Sequence, residues 1–271
     1  MKKYFLLTIA FLFFFIAVKA KHNYVEAELI SEVKSIQPGK EFWVALKLNA
    51  KPEWHTYWRN PGDSGLPTNI EWTLPEGFSH SEICWPNPHI FTVEGITNYG
   101  YEKEVVLPVK ITAPQNLTAG KKITIKAKAS WLACRVECVP EGKDLEITLS
   151  VKKQNPVFDV NAQKLIERSL SNLPEINRNL NLSAELKENI VTISAKGEIG
   201  NFSSIRFFPY EAGYFNNSAD QKLVQKENRF TLHIPLDDFK IGIPEKVHGI
   251  LYFVNSYKKN KSVEISINLK K

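Results

Sequence analysis

Cys134 and Cys138 stand four positions apart in the run Trp131-Leu132-Ala133-Cys134-Arg135-Val136-Glu137-Cys138-Val139-Pro140-Glu141. Two thiols at that spacing can close a disulfide across one tight turn, and a disulfide that opens and re-forms carries two electrons. Chain entropy helps to separate a staple from a carrier. In the loop-closure model a ring of five residues contributes about 2 kcal/mol, whereas joining Cys84 to Cys134 would contribute about 4 kcal/mol. A chain of 271 residues can also bury ordinary hydrophobic cores, unlike the small secreted domains that depend on disulfides. Spacing and context therefore favour a redox pair over a structural bridge, with a metal site third. Arg135 beside the first cysteine would favour a thiolate and Glu137 beside the second would disfavour it, so no strongly depressed thiol pKa is expected. The spacing is not that of a thioredoxin Cys-x-x-Cys, and no βαβ pattern surrounds it.

The elements that must hold this pair read as strands. Ile123, Ile125, Ala127, Ala129 and Trp131 alternate with Lys122, Thr124, Lys126, Lys128 and Ser130, the period of a strand with one face on a core. Leu145, Ile147, Leu149 and Val151 form the returning strand, which places the cysteines in an antiparallel connection at the rim of a sheet. Phe42, Val44, Leu46 and Leu48 repeat the alternation, with Trp43, Ala45 and Lys47 on the other face. Short strands with Pro and Gly punctuation from 21 to about 152 predict a β-sandwich. Between 153 and 183 the pattern changes: Asp159 or Asn161 can cap a helix carrying Val160, Leu165, Ile166 and Leu170 and ending before Pro174. Strands return from 184 to 271, at Ile190 to Ile193, Ile205 to Phe208, Phe230 to Ile234, Ile250 to Val254 and Val263 to Leu269. The expectation is a mostly β protein of two domains joined by a helical connector.

Met1 to Ala20 has the anatomy of a cleaved secretory signal: Lys2 and Lys3, an apolar run from Tyr4 to Val18, then Val18-Lys19-Ala20. The apolar core is short of the roughly 20 residues needed to span a bilayer, and no later run is long enough, so the mature chain is expected not to span a membrane. Export would put the cysteines where disulfides form and persist. Formal charge is +6, and loss of Lys2, Lys3 and Lys19 with the signal leaves +3. That is too little to argue for nucleic acid, and the lysines are scattered.

Other candidates are weaker. Trp54, Tyr57 and Trp58 are expected to fill the sandwich core, with Asn60-Pro61-Gly62-Asp63 as a turn and Arg59 pairing with Asp63 across it. The alternative for Tyr57 is a place beside the cysteines, excluding water. Cys84 reads as a small buried hydrophobe beside Trp85, the alternative being a third redox partner. A copper or zinc site drawing on all three cysteines, Cys84, Cys134 and Cys138, with His80, His89 or His55 is conceivable, but no spacing singles it out, and no metal or cofactor is assigned. Phosphate loops and Gly-x-Ser-x-Gly elbows are missing, which leaves nucleotide-binding and hydrolase readings without support. Phe207-Phe208-Pro209-Tyr210 and Tyr214-Phe215 form an aromatic cluster explained by core packing, the alternative being a docking surface for a partner.

The ordered set Tyr57 to Pro67, Trp85-Pro86, Tyr99-Gly100-Tyr101, Leu107-Pro108-Val109, Trp131 to Cys134 and Cys138 to Glu141 resembles the N-terminal periplasmic domain of DsbD and ScsB type thiol:disulfide interchange proteins. The match covers roughly 25 to 152. It implies an immunoglobulin-like β-sandwich whose cysteine pair takes electrons from a membrane partner and passes them to periplasmic disulfide proteins. It further implies that Cys134 and Cys138 are the redox pair, with Cys138 forming the mixed disulfide. In that family a flexible cap shields the cysteines with an aromatic. The matching stretch is about Pro88 to Ile96, where Phe91 is the aromatic candidate. Full members continue into a membrane domain and a thioredoxin-like domain. The expectation here is a separate subunit recharged by a separately encoded membrane electron donor, a protein thiol-disulfide oxidoreductase of the reductase type. A non-catalytic binding module with a structural bridge and a copper-handling protein stand as alternatives.

Overall fold

Period-two alternation builds most of this chain. In the computed structural model, which describes residues 23–93, 95–177, 180–197, 202–255 and 260–271, strands dominate and one helix of moderate length interrupts them. The expected signal, Met1 to Ala20, lies outside the described residues. Ahead of the helix run Val25–Ser31 (β1), Ser35–Ile36 (β2), Glu41–Ala50 (β3), His55–Gly62 (β4), Asn69–Thr73 (β5) and Ser79–His80 (β6). His89–Val93 (β7), Ile96–Glu102 (β8), Glu104–Thr112 (β9), Lys122–Cys134 (β10) and Cys138–Val151 (β11) follow. One sheet has the order β1-β3-β9-β6 and the other β2-β11-β10-β4-β8-β7, with β5 beside β10. Phe42, Val44, Val109 and Ile111 of the first sheet pack on Ile125, Ala127, Leu149 and Val151 of the second, giving the expected immunoglobulin-like sandwich.

The helix, Val160–Leu170 (α1), begins where its cap residue dictates. The Asp159 carboxylate accepts from the backbone N–H groups of Asn161 and Ala162, both at 3.2 Å, satisfying donors that the first turn leaves open. Its buried residues Ala162 and Ile166 rest on Ile30, Ala45 and Val106, and the Ser169 hydroxyl donates to the Val106 carbonyl at 2.6 Å. This corrects the expectation that Ala45 lies on an outward face: α1 covers that face, and Ala45 is fully buried.

A further sheet follows. It contains Glu175–Ile176 (β12), Asn181–Lys187 (β13), Ile190–Lys196 (β14), Ser204–Pro209 (β15), Lys222–Lys226 (β16), Arg229–Pro235 (β17), Lys246–Val254 (β18) and Lys261–Lys270 (β19). The order is β15-β18-β19-β13-β14-β17-β16, with β12 beside β19. Its aromatic cluster divides between two cores. Phe207 and Phe215 pack inside this unit, whereas Phe208 and Tyr210 join Trp58 and Tyr99 of the sandwich. Among the described residues no helix is long and apolar enough to cross a membrane.

Candidate functional site

The hairpin of β10 and β11 pairs residue for residue from Lys122 with Ser150 up to Cys134 with Cys138. Full pairing brings the last two Cα atoms to 4.2 Å, and a disulfide joins them. Arg135, Val136 and Glu137 form the tip, with the Arg135 N–H donating to the Glu137 carbonyl at 3.2 Å. The two sulfurs differ in access, since Cys134 is 6% exposed while Cys138 belongs to the exposed tip. Trp131 and Ala133 point into the sandwich core, so alternation turns Cys134 to the opposite face of the sheet.

Strand β4 lines that opposite face. His55 is the register partner of Cys134, and Tyr57, two positions on, shares its side of the strand. The Tyr57 hydroxyl lies 3.2 Å from the Cys138 sulfur. A disulfide sulfur carries no hydrogen, so the phenol donates. Burial pushes the Tyr57 phenol above its usual range, partly offset by a hydrogen bond with Ser64, which keeps it a neutral donor. Gly65, at φ +98°, closes over the ring so tightly that a Cβ there would overlap it. The core expectation thus holds for Trp54 and Trp58, which join the sandwich core, while Tyr57 is buried on the other face beside the cysteines.

Phe91 reaches the site through the β7–β8 hairpin. Its ring stacks on His55 at 4.5 Å with an interplanar angle of 7°, and His55 meets the Tyr57 ring edge-on at 5.4 Å. Phe91 therefore covers the histidine that faces Cys134. His55 is 4% exposed, and its Nε2 has no hydrogen-bond partner. Burial holds its imidazole pKa below the usual 6.5, with the Glu102 carboxylate working in the other direction. Sequence reasoning treated His55 only as a remote metal ligand. Its one available signal was a position three residues upstream of the motif Trp58-Arg59-Asn60-Pro61.

The Arg135 guanidinium pairs with Glu53 at 3.0 Å on the surface. One charge expectation is corrected. Arg59 does not pair with Asp63. Arg59 lies over the Tyr210 ring at 4.0 Å, and Asp63 accepts from the Thr97 N–H at 2.7 Å, Asn217 Nδ2 at 2.8 Å and the Ser218 hydroxyl at 3.0 Å. Both side chains tie the sandwich to the following β unit, and Asp63 also fixes the β7–β8 hairpin that carries Phe91. Cys84 is half-buried and unbridged, bonded through its N–H to the Pro108 carbonyl at 2.8 Å. Burial pushes its thiol up, against the pull of Lys110. Among the described residues no three His, Cys, Asp or Glu side chains cluster as metal ligands would.

Residues 23–150 match the family described as thiol:disulfide interchange protein DsbD, N-terminal. No curated protein matches the sequence. Among solved structures, the N-terminal periplasmic domain of ScsB from Proteus mirabilis is similar, with a TM-score of 0.66 at 18% identity, covering 92% of this chain and 95% of that one. At that identity the likeness establishes the fold alone, over both β units. The yeast GGA1 GAE domain has a TM-score of 0.25 at 11% identity, covering 45% of this chain and 88% of its own. BcpA, the major pilin subunit of Bacillus cereus, has a TM-score of 0.28 at 10% identity, covering 90% of this chain and 66% of its own. Neither of these two likenesses bears on the fold.

Proposed function

Because residues 23–150 belong to the DsbD N-terminal family of thiol:disulfide interchange proteins, we propose that the Cys134–Cys138 bridge is a redox centre that carries two electrons between other proteins. In the dithiol form the Cys138 thiolate attacks a partner disulfide, and one partner thiolate leaves. Cys134 then attacks the Cys138 sulfur of the mixed disulfide. The bridge closes, the second partner thiolate leaves, and the partner has gained the electron pair. The observation that carries this reading is the asymmetry of the pair, with Cys138 on an exposed tip and Cys134 buried behind it. Attack from outside needs one accessible sulfur, and resolution needs a second within bonding reach.

The ring adds little to a hairpin already paired along its whole length, which supports a labile bond over a staple. Tyr57 and Phe91 flank the pair and limit water and stray thiols. We place the export signal at 1–20, the redox sandwich at 21–152, a helical connector at 153–183 and a second β domain at 184–271. The exported protein works in the periplasm. Electrons come from a separately encoded membrane donor and leave to periplasmic disulfide proteins.

Equilibration against glutathione or dithiothreitol tests the reading. A potential in the range of exchange proteins, about −180 to −270 mV, is expected, and one below about −300 mV would mark a structural bond in a non-catalytic module.

A further inference from the structure

A resolving cysteine must lose its proton as it attacks, and Cys134 sits where water cannot readily take it. At 6% exposure it lies behind the hairpin tip, and the residue paired with it on the neighbouring strand carries a basic side chain. His55 is the register partner of Cys134 across β4 and β10. Directly opposed residues send their side chains from the same face of the sheet, with Cβ atoms about 5 Å apart. The imidazole is held in place by Phe91 stacked on one side and Tyr57 edge-on, and its Nε2 has no hydrogen-bond partner although buried. Such an orphan calls for an explanation in strain, catalysis or an unseen partner.

We propose that His55 Nε2 accepts the Cys134 thiol proton as the bridge closes. This rests on the redox reading of the pair and assigns a proton acceptor to its second step. In the mixed disulfide the Cys134 proton passes to Nε2 of the tautomer protonated on Nδ1. The Cys134 sulfur bonds to the Cys138 sulfur, the bond from Cys138 to the partner breaks, and the partner sulfur leaves with that electron pair. The imidazolium then returns its proton to the leaving thiolate or to water. In the reverse direction it protonates Cys134 as an incoming thiolate takes Cys138.

The groups that face His55 agree with this role. Glu102 of β8 is its other register partner, able to steady the transient imidazolium. Phe91 of β7 and Tyr57 of β4 are neutral, and at the hairpin tip Arg135 is engaged by Glu53. Burial holds the imidazole pKa below its usual 6.5, against the pull of Glu102, and so favours the neutral ring at pH 7.

Stopped-flow oxidation of the reduced protein by glutathione disulfide, with quenched samples resolved by mass, separates attack by Cys138 from ring closure by Cys134. His55→Phe keeps a flat ring against Phe91, and His55→Gln keeps a polar group without basicity. Both are expected to slow closure about 100-fold at pH 7 while leaving the Cys138 attack within about threefold. The deficit should shrink above about pH 9, where the thiol ionises unaided. Closure in folded variants at the wild-type rate, or slowed equally at every pH, overturns the proposal. A Cys134→Ala protein that forms no mixed disulfide through Cys138 overturns the redox reading and this step with it, a result distinguishable from the first.

Discussion

Reducing the Cys134–Cys138 bridge is expected to weaken the fold by only about 2 kcal/mol, the chain-entropy value of a five-residue ring. The structure explains why nothing larger is due. β10 and β11 pair residue for residue from Lys122 to Cys134, and inward side chains from Ile125 to Ala133 are anchored in the sandwich core. A thermodynamic cycle ties this figure to function, because a fold that gains 2 kcal/mol from its disulfide stabilises the disulfide by the same amount. For a two-electron couple about 1.4 kcal/mol corresponds to 30 mV. The native potential should therefore lie only about 40 mV below that of the same pair in the unfolded chain. Urea unfolding of oxidised and dithiol protein, followed by tryptophan fluorescence under anaerobic conditions, measures the gap. A gap of about 4 kcal/mol or more, or a dithiol form that does not fold, would refute the reasoning and identify a staple.

The remaining predictions concern what surrounds the bond. Tyr57→Phe removes the donor to the Cys138 sulfur, so iodoacetamide should alkylate reduced Cys138 about 3- to 10-fold more slowly at pH 7, with a stability change of about 1 kcal/mol or less. Faster alkylation would show that the ring acts only as a shield. Gly65→Ala forces a side chain into positive φ and into the Tyr57 ring. It should lower the urea midpoint by an amount equivalent to about 1–3 kcal/mol and speed reduction of the bridge by dithiothreitol.

Alkaline pH should loosen the contact between sandwich and second β unit. Burial pushes Tyr99 up to about 12 and raises Tyr101 and Tyr210 as well. The folded state then holds protons that the unfolded state has released, and stability falls as pH rises from about 10. For Tyr99 the loss is about 2–3 kcal/mol by pH 12, read from urea midpoints, and Tyr99→Phe should remove that share of the slope.

Much of this arrangement was legible in the sequence, and where it was not the reason is physical. The β10–β11 hairpin announced itself because one face is apolar and the other carries Lys122, Lys126 and Lys128, and α1 because Asp159 supplies its own cap. Strand β4 gave no such signal. Thr56 and Trp58 are buried, and so are His55 and Tyr57 on the other side. Without a wet side there is no alternation from which to learn which residues meet the cysteines.

The contacts of Arg59 and Asp63 were misread for a related reason. A charge pair four apart in a turn looks local, yet both are drawn to partners about 150 positions away, Tyr210 for Arg59 and Asn217 for Asp63. Strands β13 and β16 were passed over because each carries few β-branched residues among Lys, Asn and Gln. The third sheet recruits them through neighbours with stronger patterns.

The account stands on a bond that other proteins can open through Cys138. Expressing the Cys134→Ala chain in its host and resolving exported proteins without reductant measures this most directly. Covalent adducts that dissolve on adding dithiothreitol, and that vanish when Cys138 is also replaced, are the predicted result. A chain that remains free of adducts while folded and exported would contradict the account.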